Sequence, residues 1–383
     1  MELSPSEKFA KAKNDAKLKI TKDFSTHYTF DLDTFQVQGC QALEKGDSVL
    51  VAAPTGSGKT IVGEFAIHLA LKTGKKAFYT TPIKALSNQK YQDIAAMFGV
   101  ENVGLLTGDN SINSEAQVVV MTTEVLRNMI YANSATLQNL GFVVMDEVHY
   151  LADRFRGAVW EETLIHLPES VQIAALSATV SNAEEFGEWL QTIRGNTKVV
   201  VTEKRPVPLY QHVLIGSKLL DLFVENRKVN PQVLREERAS FRSHKGSHWR
   251  DSKDINRLTR PEVIQILDKE QLLPVINFIF SRNGCDQALK QCLRANLRLT
   301  NKDERDEILE IIQDKVGGLS ESDLSVLGFA EWSDALSRGI AAHHAGLLPV
   351  FKETVEELFQ RNLIKVIFAT ETLALGINMP ART

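Results

Sequence analysis

Two short segments gather the residue types that can act on a polyphosphate. In the first, Ala53-Pro54-Thr55-Gly56-Ser57-Gly58-Lys59-Thr60, glycines alternate with hydroxyl side chains ahead of a lysine. Pro54 leads into the turn and Gly56 and Gly58 let the backbone turn tightly, so that successive N–H groups from Thr55 through Ser57 onward face one concavity suited to phosphate oxygens. Lys59 can then reach the outer phosphates, and the Thr60 hydroxyl can hold Mg²⁺. Position 53 is alanine where the usual formula has glycine. The plainer alternative is a strand-to-helix turn that binds nothing. The second segment is Asp146-Glu147-Val148-His149. Asp146 suits Mg²⁺ coordination, and Glu147 suits orienting or deprotonating a water that attacks phosphorus. His149 is placed to couple this chemistry to a second domain. An Asp-Glu pair by itself reads as a solvated strand end; after a phosphate loop in the same unit it reads as catalytic.

Both segments need strand ends to hold them. Ser48–Ala52 is apolar and runs into the phosphate loop, and the amphipathic stretch Ile61–Lys72 follows it. Phe142–Met145 runs into the carboxylates in the same way. Further short apolar runs at Lys76–Thr80, Val118–Met121 and Ile173–Leu176 alternate with helical patterns, as buried parallel strands do. The expected fold is α/β, with mainly parallel sheets flanked by helices. Residues 1–29 read as a basic arm, 30–203 as a nucleotide-binding domain and 266–383 as a second α/β domain with strands at Val275–Phe280 and Val366–Ala369. Residues 204–265 read as a linker with a basic insertion. Within it, positions 226–260 hold ten Lys or Arg against four Asp or Glu, without a clean period, so a connector with solvated charges is expected.

A hydrophobic content of 43% and a charged content of 24% are those of a globular protein. The net charge of −4 excludes a globally basic nucleic-acid coat but leaves room for local basic patches. Cys40, Cys285 and Cys292 show no metal-ligand spacing and read as reduced thiols of a cytoplasmic chain. There is neither a signal-peptide pattern at the start nor an apolar run of about 18 residues, so no membrane span is expected.

With these residues in place, the sequence resembles the superfamily 2 DExH-box helicases, whose motor is a pair of RecA-like domains. Phe30-Asp31-Leu32-Asp33-Thr34-Phe35-Gln36 looks like the family's adenine-reading motif, in which Gln36 would bond the adenine edge and Phe30 would stack on its face. Ser177-Ala178-Thr179 matches the motif that couples hydrolysis to domain movement, through Ser177 and Thr179. Thr81-Pro82-Ile83-Lys84-Ala85-Leu86-Ser87-Asn88-Gln89-Lys90, Thr107-Gly108-Asp109 and Thr122-Thr123-Glu124-Val125-Leu126-Arg127 resemble strand-tracking loops. By that resemblance Pro82, Lys84, Asn88, Gln89, Gly108, Thr122, Thr123 and Arg127 would touch the nucleic-acid backbone. In the second half, Phe280-Ser281-Arg282, Ala342-His343-His344-Ala345-Gly346 and the run from Ala369 to Arg382 look like the family's later motifs. They imply strand contacts at Ser281, Arg282, His344 and Thr370, and nucleotide contacts at Gly376 and Asn378.

The wording of the loops is closest to the Ski-type RNA helicases and their actinobacterial HelY-type relatives. That resemblance implies ATP and Mg²⁺ as cofactors, single-stranded or partly duplex RNA as partner, an RNA-degrading complex around it, and 3′-to-5′ unwinding. The family's Gln-x-x-Gly-Arg-x-Gly-Arg segment, whose arginines reach the γ-phosphate, has no match before Thr383. The chain therefore reads as truncated, its second RecA-like domain as incomplete and its own turnover as weak. The competing readings are a DNA helicase of repair and a non-catalytic nucleic-acid clamp. A transporter or metabolic NTPase is disfavoured by the Thr-Thr-Pro-Ile-Lys and Ser-Ala-Thr segments.

Overall fold

The structure is a computed structural model that describes residues 19–108, 110–153, 156–178, 182–224, 228–244, 258–317, 327–370, 373 and 379–383. The chain divides into two compact units, residues 1–208 and 209–383.

The first unit opens with α1 (Lys19–Ser25) and α2 (Thr34–Lys45), then alternates strand and helix. In order come β1 (Ser48–Ala52), α3 (Thr60–Thr73), β2 (Lys76–Thr81), α4 (Lys84–Phe98), β3 (Val103–Leu106), β4 (Ser111–Ile112) and β5 (Val118–Thr122). They are followed by α5 (Thr123–Tyr131), β6 (Leu140–Met145), α6 (Gly157–His166), β7 (Gln172–Ser177), α7 (Ala183–Arg194) and β8 (Thr197–Val201). The strands form one sheet in the order β4-β3-β5-β2-β6-β7-β1-β8, parallel throughout except for the β3–β4 pair.

Alternation along each strand sends side chains into two cores, one on each face of the sheet. Val49 and Val51 of β1 meet Val62 and Phe65 of α3, Tyr79 of β2 and Val144 of β6. Leu50 faces the other way, with Phe78, Val143, Ile173 and Trp160 of α6. Each such fully buried side chain contributes roughly 1.5–3 kcal/mol relative to exposure. Gly63 lets α3 lie close on the sheet, since a Cβ there would come within 2.9 Å of Val144.

The end of the expected basic arm is held down. The Glu44 carboxylate of α2 accepts hydrogen bonds from the Ile20 and Thr21 N–H groups at the start of α1, both at 2.9 Å. Phe24 is buried edge-on against Phe65 and Tyr28.

In the second unit, β9 (His212–Ile215) pairs with β10 (Lys218–Asp221) and β11 (Phe223–Val224) with β12 (Lys228–Val229), all antiparallel, before α8 (Pro231–His244). These elements occupy much of the stretch expected to be connector. Helix α9 (Arg260–Lys269) then leads into β13 (Val275–Phe278), α10 (Arg282–Arg294), α11 (Lys302–Val316) and α12 (Phe329–Ser337). The unit closes with β14 (Ile340–His343), α13 (Pro349–Gln360) and β15 (Val366–Ala369). The three strands form a parallel sheet ordered β13-β15-β14. β13 ends at Phe278, two residues short of the expected Phe280, because Ser281 already caps α10 by accepting the Gly284 N–H. Among the described residues, no helix is long and apolar enough to cross a membrane.

Candidate nucleotide-binding site

The phosphate loop, the carboxylates and Ser177 lie along the C-terminal edge of the first unit's sheet, where open α/β sheets place ligands. The order β6-β7-β1 sets the carboxylates, Ser177 and the phosphate loop side by side. The loop leaves β1 with the Ala53 N–H bonded to the Ser177 carbonyl at 3.0 Å. It turns through Gly56 and Gly58 at φ of 79° and 81°, left-handed values that side chains resist, and enters α3 at Thr60. Ser57 is buried, and its hydroxyl has no hydrogen-bond partner among the described residues. An orphaned hydroxyl inside a glycine loop at a helix N-terminus fits a phosphate oxygen.

Gln36 braces that loop. Its Oε1 accepts the Asp33 N–H at 2.7 Å, which caps α2, while its Nε2 donates to the Gly58 carbonyl at 3.0 Å. Both ends of the amide, expected to read adenine, are engaged inside the protein. Phe30 stands 55% exposed beside Tyr28, so it is not a core residue.

At the end of β6, Asp146 is buried and doubly held. Its Oδ2 accepts the Tyr79 hydroxyl at 2.8 Å and its Oδ1 accepts the Glu147 N–H at 2.9 Å. Glu147 takes a left-handed turn with φ 53°, which swings its carboxylate back toward the phosphate loop. Its Oε1 lies 3.6 Å from Lys59 Nζ, and its Oε2 lies 3.2 Å from His149 Nδ1 without hydrogen-bond geometry. Burial, with Asp146 adding to it, pushes the Glu147 carboxyl above the usual range against the pull of Lys59. Burial and then Lys59 hold the His149 imidazole below its usual value. Complete burial and the facing Asp146 raise the Tyr79 phenol well above its own. Tyr79 was missed as a site residue. Its one signal in the sequence is a phenol in the middle of a buried strand, which needs a partner.

On the other face of β1, a cavity of about 660 Å³ has His149 and Ser177 in its wall, together with Phe186 and Trp189. Ser177 and His149, the latter two residues from Glu147, thus share one surface. Thr179, Gly376 and Asn378 lie outside the described residues, as does Asp109 of the second strand-tracking segment.

The expected strand contacts divide by burial. Lys84, Asn88 and Gly108 are exposed on one rim of the first unit, and Gln89 is half-buried. Pro82, Thr122 and Thr123 are buried; the Thr123 hydroxyl donates to the Thr81 carbonyl at 3.3 Å, and the Pro82 carbonyl accepts from Arg156 at 3.4 Å. Arg127 pairs with Glu162 at 3.6 Å. In the second unit, Ser281 and Arg282 are exposed at the start of α10, whereas His344 and Thr370 are buried. The His344 Nδ1 accepts the Gly346 N–H at 3.1 Å, which leaves its Nε2 to donate to Asp286 at 3.0 Å.

Residues 33–186 match the family model "DEAD/DEAH box helicase". That stretch is a DEAD/DEAH box helicase domain. Among its relatives, the probable helicase HelY of Mycobacterium leprae is 58% identical over 94% of this chain and 41% of that protein. The chloroplastic DExH-box ATP-dependent RNA helicase DExH15 of Arabidopsis thaliana is 44% identical over 93% of this chain and 33% of its own length. Human Superkiller complex protein 2 is 41% identical over 93% of this chain and 30% of its own length. The chain is therefore similar to HelY-type relatives and, further off, to Ski2-type ones, and spans well under half the length of each. The fold agrees with that of Mycobacterium smegmatis helicase Lhr, solved bound to single-stranded DNA and AMP-PNP. The TM-score is 0.59 at 22% identity, covering 94% of this chain and 42% of that one.

Proposed function

We propose that this chain is the nucleotide-binding part of an ATP-dependent RNA helicase that moves 3′ to 5′ along a single strand. The observation that carries the reading is the convergence of Lys59, Glu147 and Asp146 on a glycine loop whose buried Ser57 hydroxyl has no partner among the described residues. Kinship with a relative named as an RNA helicase favours RNA over DNA. Kinship with a Superkiller complex protein suggests work inside a larger assembly, which by the Ski-type resemblance would process or degrade RNA in the cytoplasm.

The chain's own residues divide the labour. The loop N–H groups and Ser57 hold phosphate oxygens, and Lys59 neutralises the outer phosphates. As Lys59 turns to the phosphates it weakens its pairing with Glu147, leaving that carboxylate to take a proton from the attacking water. Thr60 and Asp146 would hold Mg²⁺, which supplies charge neutralisation between the phosphates. Tyr79 and the Glu147 N–H fix Asp146 for that role. Phe30 offers a face to adenine, while Gln36 reports on the loop through Gly58. Lys84, Asn88, Ser281 and Arg282 offer polar and cationic groups to a phosphate backbone without reading its bases.

The test compares ATP turnover by the intact protein with single-stranded RNA, single-stranded DNA or neither, and unwinding of duplexes with a 3′ or a 5′ tail. RNA-stimulated turnover with opening of 3′-tailed duplexes is expected. Stimulation by DNA alone would move the substrate to the repair-type reading, and binding of strands without any turnover would leave only a clamp.

A further inference from the structure

The cavity on the other face of β1 has a wall whose chemistry phosphate transfer does not use. Its volume of about 660 Å³ falls within the range of roughly 300–1,000 Å³ that small-molecule sites occupy. The floor is apolar: Leu50 and Ala52 of β1 are fully buried, and Val148 and Leu151 come from the turn after the carboxylates. Helix α7 supplies an aromatic side, where the rings of Phe186 and Trp189 stack with centroids 5.7 Å apart and planes at 22°. Both are only half-buried, so aromatic surface is left uncovered. Two carboxylates complete the wall, Glu161 of α6 and Glu185 in the first turn of α7. Both are exposed, and among the described residues neither has a hydrogen bond or an ion pair. No lysine or arginine is among the described residues that line the cavity. The imidazole in its wall, His149, is held from protonation by burial and then by Lys59. Negative charge and open aromatic surface therefore meet at one cavity with no positive charge to answer them.

We propose that this cavity is a binding site for a small organic cation, a protonated amine carried on an aromatic or other apolar body. The body takes the apolar floor and the Phe186–Trp189 side, where it leaves water. The ammonium goes to Glu161 and Glu185, and the face of a tryptophan attracts the same charge through its ring quadrupole. An anion of the same shape meets two carboxylates and no cation, so the wall selects by repulsion as well as by attraction. The site stands apart from the helicase reading, because what it holds is read by binding and not by turnover.

Tryptamine and indole-3-acetate carry the same ring with opposite charge. Each is titrated onto the full chain by saturation-transfer NMR, with a non-hydrolysable ATP analogue present to fill the nucleotide site. Tryptamine is expected to bind with a dissociation constant below about 1 mM, and indole-3-acetate at least about tenfold more weakly. Glu161→Gln combined with Glu185→Gln should bring the two ligands within about twofold of each other. Trp189→Leu keeps an apolar side chain but should weaken tryptamine by about fivefold or more. The two glutamine substitutions lie at exposed positions with no partner to lose, so their melting temperature should match the parent and the charge arm decides even if Trp189→Leu folds poorly. Equal affinity for the two ligands, a preference for tryptamine that survives the double substitution, or no tryptamine binding at about 5 mM overturns the site.

Discussion

At the scale of single residues, the site is a balance of three charges around Glu147. Lys59 stabilises the carboxylate, whereas burial and Asp146 favour its protonated form, and burial wins. Glu147→Gln removes the base but leaves the phosphate contacts. ATP affinity should hold within a few-fold while turnover falls by about 10²–10⁴, read as phosphate release against fluorescent-nucleotide binding. Unchanged turnover would remove Glu147 from its role. The raised carboxyl also sets a pH dependence. A base must be ionised, so turnover should fall as pH drops through a value above the ordinary glutamate range, and a kcat profile over pH 5 to 8 would locate that limb. The stability sign is opposite: what the protonated, buried Glu147 contributes is fully present below its unfolded value and lost as pH rises through the folded one. Tyr79 gives a separate handle on Asp146. Tyr79→Phe leaves a buried carboxylate short of a donor, which costs about 1–3 kcal/mol in chemical denaturation and should weaken the dependence of turnover on Mg²⁺. An unaltered Mg²⁺ titration would show that Tyr79 serves packing alone.

At the scale of elements, the glycine loop is a device for turning a strand into a helix without side chains in the way. At Gly58 a Cβ would stand 2.7 Å from Gln36 Nε2, and φ is 81°. Gly58→Ala should therefore cost roughly 1–2 kcal/mol in strain and abolish nucleotide binding, because relief of the clash pulls Gln36 off the loop. Calorimetric titration with ATP would check it, and binding at parental affinity would mean the loop tolerates the shift. Such positions were legible in the sequence because their chemistry is local: Ser48–Ala52 and Val366–Ala369 form strands with the bounds that apolar runs predicted. Other elements gave no such signal. β3 carries Gly104 and only four residues, and β14 runs into the two histidines, so neither stands out by composition. The antiparallel pairs β9–β10 and β11–β12 are only two to four residues long, too short for an alternating pattern to stand out. Of the site itself, the motif side chains were readable, but their partners were not. Tyr79 to Asp146, Tyr28 to Glu64 and Asp286 to His344 join residues more than thirty positions apart, and only the fold brings them together.

At the scale of the molecule, the division into two units separates the chemistry unevenly. The phosphate loop, both carboxylates, Gln36 and Phe30 belong to residues 1–208, while Ser281, Arg282 and His344 belong to 209–383. Each unit has cores on both faces of its own parallel sheet, so each has the means to fold alone. A ligand that binds only the folded state of one unit stabilises that unit by mass action, by about 2.7 kcal/mol when present at a hundred times its dissociation constant. Residues 1–208 produced alone should therefore melt cooperatively and gain several degrees with ATP and Mg²⁺, and residues 209–383 should not respond. In the joined chain the same addition should move one of two transitions and leave the other in place. Lys59→Ala should erase the shift, since it removes the cation that meets the outer phosphates and leaves Glu147 buried without its counter-charge. Scanning calorimetry of the two pieces and the joined chain reads all of this at once. A shift carried by residues 209–383, or one that survives Lys59→Ala, would mean that the nucleotide is held by residues other than those gathered at the edge of the first sheet.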